Sequence, residues 1–279
     1  DFLALHENAP QQWRSGERCV LLVHGLAGCH ESRYLVRITA KLNARAVRVF
    51  RLDLRGCGAG RNRASHPYHA GRWEDIEAVV QRIHDLTLKA PLAVCGFSLG
   101  GSLVLRWLGE AAESSATGVY RGMAVNPPVD LLAASEAIAR AANGFYDRYF
   151  AKTLYQQVRG STQWNSASPL ARRERPPTKL LEFDDLYTAP MCGFGSAEHY
   201  YRTQCARLVA PLIRTPTLVL TAADDPLIPV ESLLSLPQTE TLRVHVEKHG
   251  GHLGYIAGRT TDPDRYWMDW RVTDWLTAP

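Results

Sequence analysis

Gly96-Phe97-Ser98-Leu99-Gly100-Gly101 lies between an apolar run, Leu92 to Cys95, and a segment with apolar residues at helical spacing, Leu103, Val104, Trp107 and Leu108. Strand, tight turn and helix in that order form the setting of a G-x-S-x-G nucleophile elbow. Such a turn holds Ser98 on a strained bend at the end of a strand, where a base can reach it. Gly96 and Gly100 lack a Cβ, so strand and helix can pass close beneath the serine. The helix that follows directs its free N–H groups and positive end toward the place where an oxyanion would form, and Leu99 would donate one of those N–H groups.

The rest of the chain supplies a sheet for this turn. Phe2 to His6 alternates loosely like a strand, and Arg18 to Val23 is a second, ending at His24-Gly25-Leu26-Ala27-Gly28. Apolar runs that stop at a Gly-rich loop suit buried parallel strands whose C-terminal ends carry loops over a site. In that loop the backbone N–H of Leu26 is the candidate second oxyanion donor, and His24 is read as a brace. Glu31 to Asn43 has helical periodicity, and Val47 to Leu52 is the next strand, so a right-handed crossover joins strand, helix and strand. Gly56 to Gly71 is a polar loop whose His66 and His69 form an H-x-x-H without a third ligand. It is read as loop packing or substrate rim rather than a metal site. Trp73 to Leu88 is an amphipathic helix, and Tyr120 to Val125 a further strand closed by Asn126-Pro127-Pro128. This alternation gives an α/β fold, a mostly parallel central sheet with helices on both faces.

From Val129 to about Pro211 the alternation stops, and residues 129–211 are expected to form a mainly helical cap inserted into a core of 1–128 and 212–279. Phe145, Tyr146, Tyr149 and Phe150 share one helix face. That face is expected to serve the cap's packing, with Tyr149 and Phe150 as candidate substrate-binding residues. The run Arg172 to Pro177 is read as a solvated loop. After the insertion, Thr217 to Thr221 resumes the strand pattern and Leu242 to Glu247 alternates strictly. Asp264 to Leu276 is a closing helix.

A chain of 279 residues, 46% hydrophobic and 22% charged, can fill one core and an inserted lobe. The net charge of +4 is spread without a block of like charges, so nothing asks for nucleic acid. No apolar run approaches the roughly 18 residues of a membrane helix. Six cysteines lack C-x-x-C pairing and two sit in expected strands, which favours reduced thiols and a cytoplasmic setting. The chain begins at Asp1, so any upstream leader, anchor or strand lies outside this reading, and the oligomeric state is open.

Ser98 is followed by an acid after a late strand, Asp224 or Asp225, and by a histidine after the last strand. Ser, Asp, His is the chain order of α/β-hydrolases and differs from the trypsin and subtilisin orders. Asp225 precedes Pro226, which biases it away from helical angles as the chain leaves the strand, and it is the favoured acid. Of the histidines, His245 lies on the polar face of its strand and His249 is still in line with it. His252, beyond Gly250-Gly251, is free to swing onto Ser98.

The whole chain resembles the α/β-hydrolase superfamily. Within it the chain is similar to the YheT-type bacterial hydrolases, which are related to yeast medium-chain fatty acid ethyl ester synthase/esterases. The narrower resemblance rests on Arg55-Gly56-Cys57, Asn62-Arg63, Tyr68-His69-Ala70-Gly71, Phe183 to Pro190, Gly193-Phe194 and Tyr200-Tyr201. It implies an α/β-hydrolase fold, the triad Ser98, Asp225 and His252, and medium-chain ester substrates. The expected chemistry is two-step acyl transfer on a small-molecule ester, with oxyanion donors at Leu26 and Leu99 and no metal or organic cofactor. An acyltransferase passing the acyl group to an alcohol would use the same residues. A binding protein that kept the fold and lost catalysis would have no use for an intact triad.

Overall fold

The computed structural model describes residues 1–113, 118–172, 175–258 and 261–278. Its strands are β1 (Ala4–Asn8), β2 (Cys19–Val23), β3 (Arg48–Asp53), β4 (Leu92–Phe97), β5 (Val119–Val125), β6 (Thr217–Ala222) and β7 (Leu242–Glu247). They form one seven-stranded sheet in the order β1-β3-β2-β4-β5-β6-β7. β1 pairs antiparallel with β3, and every other pair is parallel. The central strands β2 and β4 are apolar along their whole length because both faces are covered. Leu21, Val23, Phe50 and Val94 face one layer, and Val20, Leu22, Val49 and Cys95 face the other.

The helices follow from the sequence's periodicity. α1 (Arg33–Asn43) turns Leu35, Ile38 and Leu42 onto the sheet, and α2 (Glu74–Thr87) does the same on the opposite face with Ile76, Val80 and Ile83. α3 (Leu99–Glu110) lies beside α2 and starts directly at the turn after β4. Next come α4 (Leu131–Arg140), α5 (Phe145–Arg159), α6 (Thr162–Ala167), α7 (Leu180–Phe183), α8 (Ala189–Met191) and α9 (Ala197–Thr203). One π turn, Asp184–Thr188, joins α7 to α8. α10 (Val230–Leu234) follows β6, and α11 (Trp267–Thr277) closes the chain against α1.

α11 begins three residues later than the sequence pattern predicts. The Asp264 carboxylate accepts bonds from Lys41 Nζ at 2.7 Å, Tyr266 N–H at 2.9 Å and Trp270 Nε1 at 3.0 Å. An aspartate holding its own downstream N–H competes with the helix at its start.

Between β5 and β6 no strand occurs among the described residues. The run Arg172 to Pro177 includes Arg173 and Glu174, which lie outside the described residues. Helices α4 to α9 stand at the C-terminal ends of the strands. At Val209 the chain lies against α3, where a side chain on Gly109 would lie 2.5 Å from the Val209 carbonyl oxygen. A tryptophan is one of the side chains that tie these helices to the loop after β3. The buried Trp164 of α6 donates from Nε1 to the Ala64 carbonyl at 2.7 Å, and its ring covers Gly56, where a Cβ would sit 1.9 Å from the indole.

Candidate active site

At Ser98 the chain leaves β4 with φ 51° and ψ −123°, a conformation that L-residues rarely take and that costs of order 1–3 kcal/mol. The surroundings fix it: Ser98 N–H donates to the Val125 carbonyl at 2.8 Å, and the Ser98 carbonyl accepts from Gly101 N–H at 2.8 Å. The flanking glycines allow the bend. A Cβ on Gly96 would meet the Gly100 carbonyl oxygen at 2.1 Å, and one on Gly100 would meet the His24 carbonyl oxygen at 2.4 Å.

Above this turn the ends of β6 and β7 bring in an acid and a base. The Ser98 hydroxyl lies 3.0 Å from His252 Nε2, and His252 Nδ1 lies 2.9 Å from Asp225 Oδ2. Asp225 has a fully buried carboxylate, and its Oδ1 accepts from the N–H groups of Leu227 at 2.8 Å and Ile228 at 3.2 Å. Asn126, with φ 47°, donates to Asp225 Oδ2 at 2.5 Å and to the Gly251 carbonyl at 3.3 Å, while its own oxygen accepts from Tyr255 OH at 2.7 Å. Asn126 and Tyr255 therefore hold the acid and the histidine loop in register. Neither stood out in the sequence; the available signal was an asparagine, which tolerates φ > 0, directly after a strand.

Asp224 points the other way. Its Oδ1 accepts from Gly250 N–H and Gly251 N–H, both at 2.8 Å, and Oδ2 lies 3.3 Å from His249 Nδ1. Those bonds, led by Gly251 N–H, hold its carboxyl below the usual range. Asp224 thus braces the glycine turn that carries His252. His245 pairs with Glu247 at 2.7 Å on an exposed edge and does not reach Ser98.

The loop after β2 presses against the turn, with a Cβ on Gly25 placed 3.0 Å from the Ser98 Cβ. Its N–H groups are largely engaged: Gly25 donates to Tyr34 OH, Ala27 to Tyr68 OH and Gly28 to the Gly25 carbonyl. Among the described residues no acceptor is recorded for the N–H groups of Leu26 or Leu99. His24 is fully buried, its Nδ1 2.7 Å from the Gly25 carbonyl and its Nε2 accepting from Leu54 N–H at 3.1 Å. Burial lowers its pKa to about 4, so it is a neutral brace.

Ser98, Leu26, Leu99 and His252 form the floor of a cavity of about 860 Å3, measured with the space open to solvent. Its walls are mostly apolar and come from α4, α5, α6, α7 and α9, with Ile138, Phe150, Leu154 and Trp164 among them. Phe150 lines this cavity. Tyr149 does not: it is 53% exposed on the outer side of α5 and stacks on Phe145, because a residue one step from Phe150 is rotated about 100° around the helix. The expectation that both rings wall the pocket is corrected at Tyr149.

Of two polar groups in the wall, Asp184 was not anticipated, whereas His69 comes from the loop read as packing or substrate rim. Asp184, in the π turn, is buried and accepts from Thr188 Oγ1 and Tyr201 OH, each at 2.6 Å. Burial pushes its pKa to about 6 against those two bonds. His69 is buried too, with Nδ1 accepting from Gly71 N–H at 3.1 Å, and burial with the nearby Arg72, Arg55 and Arg106 lowers its pKa to about 3. His66 is half exposed beside Asp1, so the H-x-x-H pair does not converge. A different three-ligand cluster, His6, His30 and Asp53, lies at the β1 edge. Asp53 already accepts from the N–H groups of His30 at 2.6 Å and Ala59 at 2.9 Å, and the imidazoles stack 3.4 Å apart at 7°. Parallel rings direct their lone pairs side by side rather than toward one point, so the cluster reads as a hydrogen-bonded clasp of β1 to β3.

A model of the alpha/beta hydrolase fold matches residues 18–258. The chain belongs to the alpha/beta-hydrolase family. It is 31% identical to "Putative esterase YheT" of Escherichia coli over 99% of this chain and 81% of that protein. It is 29% identical to a Saccharomyces cerevisiae protein named monoacylglycerol lipase over 86% of this chain, which spans only 55% of the yeast protein. Among solved structures, Est1E from Butyrivibrio proteoclasticus with bound ferulic acid superposes with a TM-score of 0.62 over 98% of this chain and 94% of that one. At 14% identity that likeness concerns the fold alone. No described helix is long and apolar enough to cross a membrane.

Proposed function

We propose that this chain is a serine hydrolase of small carboxylic esters with short to medium acyl chains. The observation that carries the reading is the line Ser98 Oγ, His252 Nε2, His252 Nδ1, Asp225 Oδ2, with spacings of 3.0 and 2.9 Å, at the floor of an apolar cavity. In this reading His252 takes the Ser98 proton as Oγ attacks the ester carbonyl, and Asp225 fixes the imidazole tautomer and offsets its charge. The unengaged N–H groups of Leu26 and Leu99 receive the oxyanion. His252 then returns the proton to the leaving alcohol, and water releases the acid through the same groups. Helices α4 to α9 act as the cap over the acyl chain, with Phe150 in its wall. The relatives' names, an esterase and a lipase, support ester chemistry.

The test is labelling by a fluorophosphonate probe followed by turnover of p-nitrophenyl esters. Modification of Ser98 and its loss in Ser98→Ala are expected, and an unlabelled wild-type protein would overturn the reading. Turnover repeated with added ethanol separates hydrolysis from transfer to an alcohol, since transfer yields the ethyl ester.

A further inference from the structure

We propose that the outward stripe of α5 is a docking surface for an anionic lipid bilayer. Phe145, Arg148, Tyr149 and Lys152 fall at positions i, i+3, i+4 and i+7 and are all exposed, and Arg159 continues the same face. The opposite face of the helix, Ala151, Leu154 and Val158, is buried, with Leu154 and Val158 lining the cavity. Phe145 is 57% and Tyr149 53% exposed, and their rings stack with centroids 6.4 Å apart. Two large rings left in water side by side are unusual on a polar surface and mark a contact site when cations flank them.

The charge on the stripe selects the partner. The acid of α5, Asp147, is buried and accepts the Leu180 N–H at 2.6 Å, so the exposed face carries three cations and no carboxylate. The adjoining α7 adds the exposed Leu181 and, just before it, Lys179. Of the acids on that segment, Glu182 accepts from Thr178 N–H, Asp185 accepts from Ala197 N–H and Asp184 is buried. Aromatic rings settle at the headgroup level of a bilayer, and lysine and arginine gain from anionic phosphates beside them. A second copy of the chain is disfavoured, because a two-fold pairing of this stripe would set Arg148 and Lys152 against themselves. The same helix walls the cavity, so docking would place the cavity next to a reservoir of acyl chains. That last step rests on the proposed hydrolase reading, whereas the docking itself does not.

The experiment is co-sedimentation of the full chain with phosphatidylcholine vesicles made with and without phosphatidylglycerol, at low salt and at about 1 M salt. Binding is expected to the phosphatidylglycerol vesicles and to fall as salt rises. Phe145→Ser with Leu181→Ser, and separately Arg148→Glu with Lys152→Glu, should each weaken it about tenfold or more. Turnover of a soluble ester and the circular dichroism spectrum should stay unchanged in both. Absence of vesicle binding, salt-independent binding, or full binding by the charge-reversed variant would overturn the proposal, as would a dimer that both variants dissociate. If a variant misfolds, the lipid and salt dependence of the wild type decides alone. Vesicle binding without any ester turnover would uphold the docking surface and overturn the hydrolase reading.

Discussion

At Ser98, His252 and Asp225 the predictions concern single groups. Ser98→Ala and His252→Ala should each lower kcat on p-nitrophenyl esters by about 10⁴ or more with little change in the unfolding midpoint, since triad members act as a unit. Asp225→Asn is expected to cost about 10⁴ as well, because the amide presents an N–H where His252 Nδ1–H needs an acceptor. Asp224→Asn should cost far less: its oxygen can still accept from Gly250 and Gly251, and it does not touch His252. Equal losses from the two aspartates would reject the assignment of the acid. The buried histidines set a pH dependence. His24 and His69 bind protons near pH 4 and pH 3 in the folded chain but near 6.5 when unfolded. The unfolded state takes up protons first, so stability is full above about 6.5 and falls below it, by about 1.4 kcal/mol per pH unit for each histidine. Asp184 works in the opposite sense between about 6 and its ordinary 3.8, since its folded form takes the proton first. Two groups against one leave a net loss on acidification. In His69→Gln the remaining pair should nearly cancel, so urea midpoints measured between pH 6.5 and 4 should form a flatter line than the wild type's.

At the level of elements, the turn between β4 and α3 is the most constrained piece of backbone. Gly96→Ala would place a Cβ 2.1 Å from the Gly100 carbonyl oxygen, against rigid backbone rather than a side chain that can swing away. A loss of about 3 kcal/mol in urea unfolding is expected, together with loss of the Ser98 geometry and hence of turnover. Much of this element was legible from residue order, because Gly, Ser and Gly at that spacing between a strand and a helix leave few alternatives. The inner and outer faces of α5 were less legible. Phe145, Tyr146, Tyr149 and Phe150 span more of the helix circumference than one contact can cover, and only the neighbours chosen by folding decide that Phe150 turns in and Tyr149 out. The π turn at Asp184–Thr188 was not legible at all, since its extra residue per turn leaves no periodic trace over five positions.

For the molecule as a whole, the apolar strands with loops at their C-terminal ends made the sheet readable, and the order Ser, Asp, His placed the candidate residues at one edge of it. The clasp of His6, His30 and Asp53 was hidden because it joins three segments that pair only once β1 lies antiparallel on β3. The Asn126 and Tyr255 contacts were hidden because they join segments after β5, β6 and β7 that meet only once those strands lie side by side. The cavity beneath helices α4 to α9 sets a prediction at this scale. Each methylene buried should add about 0.8 kcal/mol until the apolar walls are filled, so kcat/KM for p-nitrophenyl esters should rise with chain length and then fall. Phe150→Ala should move the maximum toward longer chains, and a profile untouched by that substitution would show that α5 does not wall the acyl site. Trp164 carries a consequence for observing such events. Its indole fills a slot above Gly56 that a methyl group would close, and it bonds the Ala64 carbonyl, so it can leave only by surrendering a dry, close-packed environment. The chain therefore holds a buried native fluorophore where α6 meets the loop after β3, and an outward tilt of α6 should give a red-shifted component in the emission of its seven tryptophans that Trp164→Phe removes.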